Sequence, residues 1–318
     1  MQLSTNIQPN NKKQKKLFWV NLKNDFRLNK MKYLMALPVI IYFLVFAYKP
    51  MYGLLMVFQD FSPRLGISGS EWIGLENFKR FFSDPNAFRI IKNTFNISFW
   101  SLVFGFPAPI ILALLINEVR NKVFKRVVQT VSYMPYFVSL VVICSLIKFF
   151  TQSDGLIPEF LSFFGISKTN LLANPNAFVP IYVLSDIWQH VGWDSIIYLA
   201  ALAGIDQEQY EAARIDGASR LQRMFHITLP GIKSTIIILL ILRMGSLLNV
   251  GFEKILLLYS PSTYSVADVI STYVYRMGLL NADYSYAAAI GLLNTLVNVC
   301  FLLLTNVISK KVAGSGLF

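Results

Sequence analysis

Six apolar runs divide this chain, at residues 33–57, 95–116, 131–150, 178–202, 232–252 and 284–308. A helix needs about 20 apolar residues to cross the hydrocarbon core of a bilayer. Backbone at that depth must satisfy its own hydrogen bonds, which inside one run means a helix. The runs therefore predict an all-α membrane protein with six transmembrane helices. Pro38, Pro50, Pro107 and Pro109 fall inside runs, where packed membrane helices tolerate them. The first run is longer than the apolar core of a secretory signal and lacks a small-residue cleavage site. It reads as an uncleaved span.

Composition agrees with this reading. At 318 residues, 55% hydrophobic and only 14% charged, the chain is too apolar for an ordinary soluble fold. The net charge of +12 points to the anionic inner face of a membrane. No aromatic-interleaved basic stripe supports nucleic-acid binding. Cys144 and Cys300 both lie in apolar runs, as small buried hydrophobes do, so neither a disulfide framework nor a metal site is implied. With His190 and His226 as its only histidines, the chain has no histidine-rich metal centre.

Loop charges set the expected orientation. Residues 1–32 carry eight Lys or Arg against the single acid Asp25. With that end inside, the inner segments hold 18 Lys or Arg, counting Lys233 at the inner edge of the fifth run, and the outer loops 8, while Lys49, Lys148 and Arg243 lie in spans. This asymmetry satisfies the positive-inside rule and places both termini in the cytoplasm. Residues 117–129 read as a short basic turn. Residues 77–93 read as a surface helix interrupted at Pro85, with Phe78, Phe81, Phe82 and Phe88 free to lie along lipid.

Between the fourth and fifth runs lies a polar, small-residue island, 203–230, on the cytoplasmic side. Asp206 reads as a helix N-cap. Gly217 reads as the left-handed residue that stops the helix, and Pro230 suits the first turn of the next one. Ala212, Ala213 and Gly217 allow a partner backbone to come close. Glu211, Arg214, Arg220 and Arg223 offer charges that fix its register.

The ordered spacing of Glu211, Ala212, Ala213, Gly217, Ile227, Leu229 and Pro230 resembles the cytoplasmic loop of permease subunits of bacterial binding-protein-dependent ABC importers. That resemblance implies docking to a separate ATPase through the loop. It also implies a transmembrane domain over 33–309, with a core permease domain at about 90–309, a basic segment 1–32 and a cytoplasmic tail 310–318.

Two runs carry polar stripes. Arg243, Ser246, Asn249 and Glu253 fall within an arc of about 120° at 100° per residue, if the fifth run is one helix. Asp186, Gln189, His190, Trp193 and Asp194 share one face of the fourth. Such stripes fit either hydrogen bonding between helices or a water-lined cavity, and two adjacent stripes favour the cavity. Paired donors and acceptors suit sugar hydroxyls, and Trp188, Trp193, Phe252 and Tyr259 supply rings for a sugar's apolar face. Asn294 and Asn298 in the sixth run suit helix packing first, and can also join that lining.

The stretches 72–78 (WIGLENF), Gly192 with Trp193, 249–253 (NVGFE), 272–276 (TYVYR) and the 314–318 end (GSGLF) resemble the maltose-type carbohydrate branch of that family. Within it the chain resembles permeases for complex oligosaccharides and polysaccharide fragments. Unlike the larger maltose permease, it carries no large extracytoplasmic insertion between early spans. The resemblance implies one of two transmembrane subunits of an importer working by alternating access. Its partners would be a second homologous permease, two ATP-binding subunits holding ATP and Mg, an extracellular sugar-binding lipoprotein, the oligosaccharide and the bilayer of the bacterial plasma membrane. The chain itself has no P-loop and no nucleophile elbow, so it is not expected to be an enzyme or to bind a cofactor. The alternatives are a proton-coupled secondary transporter using Asp186 or Asp194, and an intramembrane enzyme built on Asp186, His190 and Asp194. Neither accounts for the Glu211 loop.

Overall fold

The computed structural model describes Asp25, residues 27–314, Gly316 and Leu317. The basic segment up to residue 24, Ser315 and Phe318 lie outside the described residues. The described chain is helical apart from its loops and one two-stranded ribbon, in which Gln59 faces Trp72 and Asp60 faces Glu71.

Helix α1 (Lys30–Phe58) buries almost nothing against the rest of the chain. A helix apolar all round has lipid or another subunit as its natural surroundings. Around Pro50 its geometry departs from α, with a π-turn at Leu44–Tyr48 and a 3-10 turn at Tyr52–Phe58. This is the usual response to a residue with no N–H.

The short helix α2 (Glu76–Ser83) and helix α3 (Ala87–Glu118) correct the expected surface helix. The chain breaks at Asp84 and Pro85, and the membrane helix already begins at Ala87. Phe82 and Phe88 are exposed, but Phe81 is only 3% exposed and packs inward on Tyr273. Helix α3 is interrupted only at Phe106, itself in the α region, with Pro107 starting its second half.

The expected basic turn and third span are also redrawn. Residues 122–133 form an amphipathic helix, α4 (Lys122–Tyr133), whose N-terminus is capped by Asn121 Oδ1. Helix α4 ends at Tyr133: Met134 keeps α-region dihedrals, but Pro135 has no N–H with which to continue the α pattern. A short 3-10 turn follows, and α5 (Leu140–Thr151) resumes.

Helix α6 (Pro175–Ala203) is the axis of the fold. Asn174 caps it, and Pro175 sits in its first turn, where no N–H is needed. Its central Gly192 is required by packing. A Cβ there would lie 2.1 Å from the Ser132 carbonyl oxygen, so only glycine lets α4 cross this closely. One apolar cluster joins α6 to α5 and to the end of the fifth run and the residues after it through Phe178, Tyr182, Cys144, Val250 and Ile255. A second, around Tyr198, Leu202, Ala113 and Ile232, joins it to α3 and to the start of the fifth run.

The 203–231 island holds α7 (Gln207–Ile215) and α8 (Arg220–Gly231), and α9 (Lys233–Met244) follows at a bend of 60°. The fifth run is not one helix. It stops at Met244, turns through 245–251 and restarts as α10 (Phe252–Leu258). Gly245, Ser246, Asn249 and Gly251 crowd this stretch with residues of weak helix preference. The expected continuous face from Arg243 to Glu253 is therefore broken. After α11 (Ile270–Tyr275), α12 (Tyr284–Ala313) closes the bundle.

Four described helices are long and apolar enough to cross a membrane, and the bent pair α8–α9 makes a fifth. Helix α6 has 29 residues, about 43 Å at 1.5 Å each, but carries Asp186, Gln189, His190 and Asp194.

Candidate functional site

A cavity of about 520 Å³ opens between α3, α6, α9 and the 245–251 break. Helix α6 contributes Tyr182, Asp186, His190, Trp193, Asp194 and Tyr198 to its wall. These recur every three to four residues, the spacing of one helical face. Helix α3 contributes Ser98 and Ser101, whose buried hydroxyls have no hydrogen-bond partner among the described residues. Buried hydroxyls are normally satisfied. These two are unspent polar groups on one wall.

The charges are arranged in layers. Asp186 Oδ1 lies 3.3 Å from Lys254 Nζ and 3.4 Å from His190 Nδ1. His190 Nδ1 also lies 3.0 Å from the Asp186 carbonyl oxygen, one helical turn back. Arg243 and Asp194 line the same cavity, and neither has an ion pair or side-chain hydrogen bond among the described residues. Ser246 is turned toward the last turn of α9, its Oγ donating to the Arg243 carbonyl at 3.3 Å.

An aromatic shelf lies beside the charges. The rings of Tyr136 and Trp193 stack in parallel, with 4.6 Å between centroids and 5° between planes. His190 meets Tyr136 edge-on at 5.9 Å. Tyr136 is brought here by the turn at Pro135.

The break at 245–251 is held from two sides. Tyr182 Oη accepts the Gly251 amide at 3.0 Å. From α12, Asn298 Oδ1 accepts the Leu248 amide at 2.9 Å. Asn249 Oδ1 accepts from Asn294 Nδ2 at 3.0 Å and from Asn298 Nδ2 at 3.1 Å. Its carbonyl is spent on α12, and its amide group is the part left for the cavity.

The 203–231 island is a second, separate surface. Asp206 Oδ1 accepts from the Glu208 amide at 3.0 Å and starts α7. The helix ends in a Schellman closure: Ala218 N donates to Ala213 O at 2.9 Å and Gly217 N to Arg214 O at 3.1 Å. Gly217 has φ +75°, which a side chain would strain. Ser219 and Gln222 form a capping box that starts α8. Tyr210 and Thr228 join their hydroxyls at 3.0 Å across the bend, and Arg223 Nη1 donates to Ala218 O at 2.7 Å. A cleft of about 340 Å³ lies between the two helices, lined by Ala213, Gly217, Arg223 and Ile227. Ile215, Leu221 and Phe225 are respectively 87%, 65% and 58% exposed on this surface.

Residues 105–314 match the family described as the binding-protein-dependent transport system inner membrane component. The chain belongs to this family. It is a multi-pass protein of the plasma membrane and not itself an enzyme. It is 47% identical over 290 residues to the polygalacturonan/rhamnogalacturonan transport system permease protein YteP of Bacillus subtilis (strain 168), covering 91% of this chain and 90% of the relative. A bacterial ABC transporter involved in the import of the acidic polysaccharide alginate contains a chain 45% identical, with TM-score 0.85, covering 92% of this chain and 99% of that one. A crystal structure of a bacterial alginate ABC transporter in complex with an alginate pentasaccharide-bound periplasmic protein gives 44%, TM-score 0.84 and coverage of 94% and 99%.

Within the permease, the residues expected along a substrate path do not all meet. Asp186, His190, Trp193, Asp194, Arg243, Ser246 and Asn249 share the cavity. Gln189 is buried away from its lining, Oε1 unpartnered. Glu253 is exposed outside it, and Phe252 packs on Tyr275 at 5.2 Å, beside a larger apolar hollow of about 610 Å³. Trp188 is half exposed elsewhere on α6, and Tyr259 packs on Tyr264. Sequence reasoning missed Tyr136, Tyr182, Ser98, Ser101 and Lys254. A usable signal existed for the serines, three apart in an apolar run. None existed for Lys254, whose partner is 68 residues away.

Proposed function

We propose that this chain is one of two transmembrane subunits of an ATP-driven importer that moves acidic oligosaccharides or polysaccharide fragments inward by alternating access. The observation that carries the reading is Arg243, a permanent cation facing the cavity without an ion-pair partner among the described residues. A guanidinium offers a planar fork of donors that matches a carboxylate. The Tyr136–Trp193 shelf beside it suits the apolar face of a sugar ring. The likeness to permeases of polygalacturonan/rhamnogalacturonan and alginate transporters supports the same substrate class.

Residues 33–309 form the transmembrane domain in this reading, with the core at about 90–309, both termini cytoplasmic and six spans in all. The 203–230 island docks on a separate ATP-binding subunit through Glu211, Ala212, Ala213, Arg214, Gly217, Arg220, Ile227, Leu229 and Pro230. Its exposed Ile215, Leu221 and Phe225 supply the apolar part of that contact. ATP and Mg are held by two such subunits, not by this chain. A second permease completes the pore, and an extracellular sugar-binding lipoprotein delivers the substrate.

The deciding experiment reconstitutes the complete complex in liposomes with its binding protein. Oligogalacturonate uptake is expected to require internal ATP and to survive a protonophore. Uptake that persists without the ATP-binding subunits and collapses with the proton gradient would overturn the reading in favour of a carrier using Asp186 or Asp194.

A further inference from the structure

Lys254 directly follows the aromatic Phe252 and the exposed Glu253 in the chain, yet its side chain is 3% exposed. Its Nζ lies 3.3 Å from Asp186 Oδ1 and 5.0 Å from the centroid of the Tyr182 ring. Burying an ammonium is costly unless it is paired. Here the pair is lopsided. The Asp186 side chain is 28% exposed and lines the cavity, while Lys254 lies behind it and outside the lining.

That placement changes the sign of the wall. The ionisable lining groups are Asp186, Asp194, Arg243 and His190. With Lys254 set against Asp186, Arg243 balances Asp194, and the wall has no net negative charge. Without Lys254, and with His190 counted as neutral, the same lining carries a surplus carboxylate. In a partly desolvated site a like charge several ångströms away opposes an anionic guest strongly.

We propose that Lys254 determines the charge selectivity of the permease: it is a buried counter-charge that makes the cavity permissive for acidic sugar units. It acts through Asp186 and touches no substrate, so it is a positioning residue of an electrostatic kind. The inference rests on reading the cavity as the sugar path.

The test uses the reconstituted complex with wild type, Lys254→Met, Asp186→Asn and the double variant. The readout is the ratio of uptake rates for trigalacturonate and for a neutral trisaccharide. The binding protein's own preference is common to all four and cancels in the comparison. Lys254→Met is expected to lower the acidic-to-neutral ratio about tenfold or more. Asp186→Asn is expected to raise it, and the double variant to return it to about the wild-type ratio. A merely structural role would slow both sugars equally and leave the ratio unchanged in every variant, which overturns the proposal. If Lys254→Met does not assemble, Asp186→Asn decides, because an unchanged ratio there also overturns it. A wild-type complex that imports neither sugar defeats the functional reading itself.

Discussion

The Tyr182 hydroxyl accepts the backbone amide of Gly251 at 3.0 Å and so ties the N-terminal third of α6 to the residue just before α10. Tyr182 is 4% exposed and packs among Phe178, Val250 and Ile255. The downstream end of the 245–251 break is thereby fixed by the helix that forms most of the cavity wall, while α12 holds Leu248 and Asn249. The break is a constructed feature with named anchors.

Tyr182→Phe keeps the ring and its packing and removes only the acceptor. The Gly251 amide faces the cavity, so water partly replaces the lost partner. A loss of about 0.5–1.5 kcal/mol is expected. The thermal midpoint of the detergent-solubilised complex should fall, with Tyr182→Ala falling much further because the core loses an aromatic ring. Equal midpoints for wild type and Tyr182→Phe would show that the bond does not hold the break.

What could be read from the sequence was local. The Asp206 cap and the stop at Gly217 follow from residue chemistry within a few positions, and the structure forms both. Run length gave the helical membrane architecture for the same reason. Pro230, expected in the first turn of the next helix, lies instead in the last turn of α8, just before the 60° bend. The break in the fifth run was not legible, because half of its support comes from Asn298, 50 residues downstream of Leu248. Lys254 was hidden likewise. A lysine beside a glutamate at the end of an apolar run reads as solvated, until the fold brings Asp186 to it. The crossing at Gly192 was visible as a glycine but not as a contact with Ser132.

The coupling island gives a prediction about mechanism. Gly217→Pro cannot adopt φ +75° and removes the amide that donates to Arg214 O. Glu211→Lys reverses an exposed charge on α7. Both variants are expected to insert in the membrane at wild-type levels while substrate-stimulated ATP hydrolysis falls to its basal rate. Normal coupling in either one would remove this island from the docking surface.

Sidedness follows from the charge asymmetry and is checked by cysteine labelling. Cys300 is exposed in the chain and Cys144 buried, so the background carries Cys144→Ala and Cys300→Ala. Single cysteines at Ser219, in the island, and at Ser262, beyond α10, should react with a membrane-impermeant maleimide from opposite sides. Ser219→Cys should label only from the cytoplasmic side. Labelling of both from one side would rule out the six-span arrangement.

On the segment before α3, Tyr273 donates its hydroxyl to Asp84 and lies 3.2 Å from the Tyr286 hydroxyl. Arg80 completes the clamp with a 2.7 Å ion pair to Asp283. Burial alone would raise the Asp84 carboxyl. Hydrogen bonds from Tyr273 and Asn86, with the Arg80 charge, outweigh it and hold the group below the usual carboxylate range. A lowered folded-state value contributes stability above the unfolded value, near pH 3.9, and loses it as pH falls through the folded one. Tyr273→Phe should therefore cost about 1–2 kcal/mol near pH 7. The gap between variant and wild-type melting midpoints should narrow as pH approaches about 3. A gap that stays constant over that range would mean the phenol acts by packing alone.

The cavity prediction turns on which end of Asn249 is free. Its Oδ1 is occupied by Asn294 and Asn298, so its Nδ2 is the group presented to a guest. Asn249→Asp keeps the acceptor that α12 requires and replaces the free donor with a carboxylate oxygen. Assembly, measured by co-purification of the ATP-binding subunit, should persist. Uptake of an acidic oligosaccharide should fall by about tenfold or more, since a donor is lost and a like charge is added. Asn298→Leu has the opposite profile. It leaves the Leu248 amide and one side of Asn249 unsatisfied in the bundle, so stability and yield should fall before any change in sugar preference. If Asn249→Asp disrupts assembly as severely as Asn298→Leu while the surviving complex transports normally, the triad of asparagines is packing alone. The donors for the sugar would then come from Arg243, Ser98 and Ser101.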